Sequence, residues 1–64
     1  MSFIQFIQSR DSTPVYILLS AIQVVSESKE FGPEFSTVTC LDSLTIEVAG
    51  KPEEISNQID KNRS

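Results

Sequence analysis

Histidine and tryptophan are absent from this 64-residue chain, and cysteine occurs once. Each scarcity removes a class of function. Without His, the usual neutral-pH general base is missing. One Cys cannot close an internal disulfide, and no His/Cys cluster exists to hold a structural zinc. The two glycines, Gly32 and Gly50, lie far apart, so no glycine-rich loop can cradle a phosphate. Long apolar runs are lacking too. The longest, Val15 to Val25, is interrupted by Ser20 and Gln23 and is too short to span a bilayer. The opening residues Met1-Ser2-Phe3-Ile4-Gln5 carry no basic group. A secretory signal is therefore not expected, and a cytoplasmic location is.

What remains is ordinary for a folded chain. Hydrophobic residues make up 39% and charged residues 22%, too apolar for intrinsic disorder. The length allows one small domain spanning 1–64, and a domain of this size buries only about 60% of its extended-chain surface. Five basic residues face nine acidic ones, a net charge of −4. Arg10, Lys29, Lys51, Lys61 and Arg63 are scattered, so no local positive field exists to track phosphates.

The side chains with chemical potential have structural explanations. Cys40 sits in the middle of a strand pattern and reads as a small buried hydrophobe, with no adjacent base to activate it. Glu53 and Glu54 are neighbours at a helix start and point in different directions. Glu27, Glu30 and Glu34 lack the spacing and the Asp/Asn content of a calcium loop. The sequence therefore predicts a non-enzyme with no cofactor and no metal.

The elements are read from period and punctuation. Ser2 to Gln8 is expected as a strand with Phe3, Gln5 and Ile7 on one side and Ile4, Phe6 and Gln8 on the other. Both sides are partly apolar, which suits a strand covered on both faces. Ser9 to Pro14 is a polar turn. Val15 to Val25 fits either period, but its Val and Ile content disfavours a helix. Two short strands, about 15–18 and 22–27, are expected, joined by a kink at Leu19-Ser20-Ala21. Tyr16 reads as half-buried with its hydroxyl in water. Ser28 to Ser36 reads as a loop broken by Gly32-Pro33.

Thr37 to Val48 alternates cleanly and predicts a hairpin. A two-residue Asp42-Ser43 turn would mix apolar and polar groups on one face. An odd loop at Leu41-Asp42-Ser43, with Asp42 or Ser43 left-handed, sets Val38 and Cys40 opposite apolar partners. Pro52, Glu53 and Glu54 then open a terminal helix that buries Ile55 and Ile59, with fraying past Asp60.

The predicted architecture is α+β: a small antiparallel β-meander of four or five strands with one C-terminal helix. Its core is Ile4, Phe6, Ile17, Ile22, Val24, Val38, Cys40, Ile46, Val48, Ile55 and Ile59. One short helix cannot cover the apolar character of residues 3–7 and 15–19. Self-association through Phe3, Ile7, Val15 and Leu19, as a dimer or higher oligomer, is therefore expected. Phe31 and Phe35 either fold back onto the core or, with Glu30 and Glu34, form the candidate surface for a further protein partner. The expected function is a non-enzymatic interaction, assembly or regulatory accessory, of bacterial or phage type. A small nucleic-acid-binding β-domain stacking bases on Phe3, Phe6 and Tyr16 is the alternative, which the acidic balance opposes.

The order of elements resembles the small flagellar FlbD-like (SwrD-like) proteins. The residues that carry the resemblance are Phe3 to Phe6, Ile22 to Val25, Thr37-Val38-Thr39, Ile46 to Val48, and Val48-Ala49-Gly50-Lys51-Pro52-Glu53-Glu54-Ile55. The chain departs from that pattern at Asp42-Ser43, where the family favours Asn-Gly. It departs again at Lys51, where the family has a Ser cap, and in its longer Phe31 to Phe35 loop. The resemblance implies an accessory role in assembling or powering a motor, without catalysis.

Overall fold

The computed structural model describes residues 2–63. Five antiparallel strands and one helix follow in order: β1 (Phe3–Ile7), β2 (Pro14–Leu18), a 3-10 turn (Leu19–Ala21), β3 (Ile22–Ser28), β4 (Gly32–Cys40), β5 (Thr45–Ala49) and α1 (Pro52–Arg63). The fold is α+β, and its strands divide into two sheets: a β1–β2 ribbon and a β3–β4–β5 sheet. A single bridge between Gln8 and Val48 ties the two together. The Ser9 N–H reinforces it by donating to the Glu47 carbonyl at 3.0 Å.

Local chemistry sets each joint. In the β1–β2 turn, Asp11 Oδ1 accepts from the Thr13 hydroxyl at 2.6 Å and from the Thr13 N–H at 3.2 Å. This is the Asx-type bonding that makes Asp a turn residue. The Thr13 hydroxyl, with its N–H second, holds the Asp11 carboxyl below the usual carboxylate range. The β4–β5 turn is the three-residue loop that burial demanded. Cys40 N–H donates to the Leu44 carbonyl at 2.8 Å, and Ser43 takes the left-handed position at φ 70°. Val38 then lies opposite Ile46 and Ser36 opposite Val48.

Helix α1 begins at Pro52, where a missing N–H costs nothing. The Lys51 N–H donates to Glu54 Oε1 at 3.4 Å, a back-reaching cap that replaces a Ser. Glu53 and Glu54 occupy the first turn and Lys61 and Arg63 the last, matching the helix dipole.

The core lies between the sheets and the helix. Ile4, Phe6 and Ile17 come from the ribbon, Leu19 from the 3-10 turn, and Ile22, Val38, Cys40 and Val48 from the larger sheet. Ile55 and Ile59 come from α1.

Several expectations need correction. Val24 was expected inside and is 50% exposed, because an extra β3 residue between Ile22 and Val24 turns Val25 toward Val38 instead. Ile46 is only half-buried against the core, and Tyr16 is 64% exposed. Alternation with buried Ile17 puts Tyr16 on the outer face of the ribbon, where no second layer covers it. For the same reason β1 is covered on one face only: Ile4 and Phe6 are buried, while Phe3, Gln5 and Ile7 are exposed.

The expected loop at Ser28 to Ser36 is instead a short turn followed by strand. Pro33 is tolerated because the register jumps from Glu27↔Ser36 to Ser28↔Gly32, leaving it outside the regular ladder. The helix does not fray at Asp60. Arg63 Nη2 donates to the carbonyls of Leu19 at 3.2 Å and Ile22 at 3.4 Å, and so fastens the last turn to the β2–β3 corner.

Candidate functional site

Three surface features carry residues of interest. The first is the outer face of the β1–β2 ribbon. Its register sets Phe3 opposite Leu18, Gln5 opposite Tyr16 and Ile7 opposite Pro14. Of the residues predicted for self-association, Phe3 and Ile7 lie on this face, 60% and 41% exposed. Val15 is half-buried on the inner side. Leu19 is buried in the core because the 3-10 turn rotates it inward, so it is not available to a second copy. Tyr16 and Leu18 belong to the face and were not assigned to it from sequence. The signal was present, since Pro14, Tyr16 and Leu18 share one side of a strand whose other side holds Ile17.

The second feature is the turn region at the start of β4. The rings of Phe31 and Phe35 pack against each other, centroids 5.9 Å apart and tilted by 55°. Both are half-buried, which leaves part of each ring at the surface. The Phe31 N–H donates to Ser28 Oγ at 3.1 Å and fixes the turn. Glu34 is exposed, and its carbonyl accepts from the Gly50 N–H at 3.2 Å. Glu30 is exposed beside the turn and lines a cleft with Arg10 and Glu47.

That cleft is the third feature, about 240 Å³ in volume, at the seam between the ribbon turn and β5. Beside it is a polar cluster that sequence reasoning did not find. The Glu47 carboxylate accepts from Ser28 Oγ at 2.5 Å and from Thr37 Oγ1 at 2.8 and 2.9 Å. Ser28 is almost fully buried. Thr37 lies opposite Glu47 across β4–β5, and Ser28 comes from β3, so one carboxylate ties together all three strands. No motif marks this cluster. Thr37 opposite Glu47 follows from the hairpin register, but Ser28 joins them through a β3–β4 pairing that only the folded chain reveals.

Glu47→Ala removes the acceptor and leaves two hydroxyls with no carboxylate, one of them buried. The expected cost is about 1–3 kcal/mol in urea unfolding. Adding Thr37→Val to that variant should cost less than Thr37→Val alone, and additive costs would show that the pair is uncoupled.

The cluster's geometry serves architecture. Its carboxylate is occupied by hydroxyls, and the one thiol is elsewhere. Cys40 is buried, and burial pushes its thiol pKa up, with the Asp42 carboxylate adding to the rise. A raised thiol pKa keeps the sulfur protonated and poorly nucleophilic. Among the described residues, no group of three or more Cys, Asp or Glu side chains is placed to hold a metal ion. Among the same residues, no helix is long and apolar enough to cross a membrane.

No family model matches the chain, and neither a curated protein nor a solved structure matches it.

Proposed function

We propose that this chain is a non-enzymatic interaction module, an assembly or regulatory accessory that works in the cytoplasm as a homo-oligomer. The observation that carries the reading is the ribbon's outer face, where Phe3, Ile7 and Tyr16 stand exposed together. Grouped apolar exposure of this kind marks interaction surfaces, whereas isolated exposed apolar residues do not. The resemblance in element order to the flagellar FlbD-like proteins supports an accessory role in assembling or powering a motor.

A further protein partner is taken by the Phe31–Phe35 pair with Glu30 and Glu34. The half-exposed rings supply apolar area, and the carboxylates favour a partner with a basic rim. The test is the double variant Phe31→Ala/Phe35→Ala. It should keep its circular dichroism spectrum while recovery of the partner from the native cell extract, measured by mass spectrometry, falls roughly tenfold. Unchanged recovery would remove the pair from the interface, and loss of the fold would assign both rings to the core.

A second reading, single-stranded nucleic acid stacked on the ribbon, draws on the exposure of Phe3 and Tyr16 on one face. The net charge of −4 opposes it. Salt-sensitive fluorescence anisotropy with oligonucleotides would revive it.

A further inference from the structure

The ribbon is cut from the two longest stretches of the chain that carry no charged side chain, residues 1–9 and 12–26. Its outer face is therefore formed by Phe3, Gln5, Ile7, Pro14, Tyr16 and Leu18, six residues without a charge. The other exposed large apolar side chains are more dispersed. Leu41 and Leu44 flank Asp42 and Ser43 at a hairpin tip, and Val24 lies on β3.

We propose that this face is the docking site for a second copy of the same chain, the two ribbons meeting face to face about a two-fold axis. The proposal rests on the homo-oligomer reading and names its surface. Charge selects the occupant. Copies carrying −4 each repel one another, and a face without charged side chains is where they can approach with the least repulsion. A basic partner would be drawn instead to the acidic surface elsewhere.

Area sets the strength. At their exposures of 60% and 64%, Phe3 and Tyr16 each offer roughly 100–150 Å². The whole face offers on the order of 500 Å² per copy, and about 1,000 Å² in the pair is the lower limit of a specific interface. The dimer is accordingly weak, with a dissociation constant in the micromolar range. Its two patches are the same patch, as a two-fold contact requires, and two twisted ribbons stack about 30° apart. Added salt tightens it, because salt screens the repulsion between copies and breaks no ion pair in the interface.

A dilution series of amide spectra, followed by sedimentation equilibrium of the native chain and a Phe3→Thr/Tyr16→Thr variant, tests the assignment. Threonine keeps the strand preference and removes the rings. The expected shifts on dilution are confined to residues 3–7 and 14–18, and the variant's dissociation constant rises about tenfold or more. Should the double variant lose its fold, Tyr16→Lys is read in the same way. A native dimer whose shifts cluster elsewhere, or whose affinity the variants leave unchanged, overturns the face assignment and leaves the homo-oligomer reading standing. A native chain that stays monomeric up to millimolar concentration overturns both.

Discussion

Phe6→Ala is expected to leave at least half of the molecules unfolded at room temperature. Phe6 is 3% exposed and packs in the one core cluster that joins ribbon, sheet and helix. Truncating a buried Phe costs about 3–5 kcal/mol, the transfer energy of the ring plus that of the cavity left behind. A 64-residue chain has roughly 3–10 kcal/mol of stability in total, and small single cores fall near the bottom of that range. No disulfide offsets the loss, since Cys40 is free. Circular dichroism and amide spectral dispersion would both report the collapse. The neighbouring Gln5→Ala is the control and should change stability by no more than about 0.5 kcal/mol, because Gln5 is exposed. Two variants of equal stability would place the core elsewhere.

A loss nearly as large is expected from Gly50→Ala. Gly50 has φ 124°, a conformation that L residues rarely adopt, and an added Cβ would stand 3.0 Å from Ile55 Cδ1. That methyl belongs to a core side chain, and Gly50 also anchors the joint. Its N–H donates to the Glu34 carbonyl, and its own carbonyl accepts from Ser36 Oγ at 2.6 Å. Backbone strain of about 1–3 kcal/mol and overpacking of similar size together give roughly 2–6 kcal/mol. Gly32 separates the two contributions. Its φ is 103°, yet an added Cβ meets nothing within 4 Å. Gly32→Ala should therefore show the strain alone. If the two variants unfold at the same urea concentration, the Ile55 contact contributes nothing.

Much of this fold was legible because local patterns and burial agreed. The β4–β5 register followed from one requirement, that Val38 and Cys40 not face polar partners, and the loop at Leu41-Asp42-Ser43 satisfies it with Ser43 left-handed. The 3-10 turn at Leu19–Ala21 lies where two apolar strands had to be separated by a kink. What was not legible depended on tertiary pairing. The extra residue before Val24 reverses the faces of β3, and nothing local announces it. Leu19 is inward because of the 3-10 turn's rotation, which strand alternation does not describe.

The candidate sites divide in the same way. Phe31 and Phe35 were found by composition, and the structure pairs their rings. The Glu47 cluster was missed because Ser28, Thr37 and Glu47 come from three strands and meet only after the register is set. Arg63 read as a dipole partner on a fraying end. Its two carbonyl acceptors come from a corner more than forty positions earlier in the chain.

The account depends on a ribbon whose inner face is buried and whose outer face is left for another copy of the chain. Sedimentation equilibrium of the native protein, from low micromolar to millimolar concentration, measures this directly. The predicted result is a concentration-dependent rise from 7.1 kDa toward twice that mass, stronger at high salt. A single species of 7.1 kDa across the whole range would contradict it.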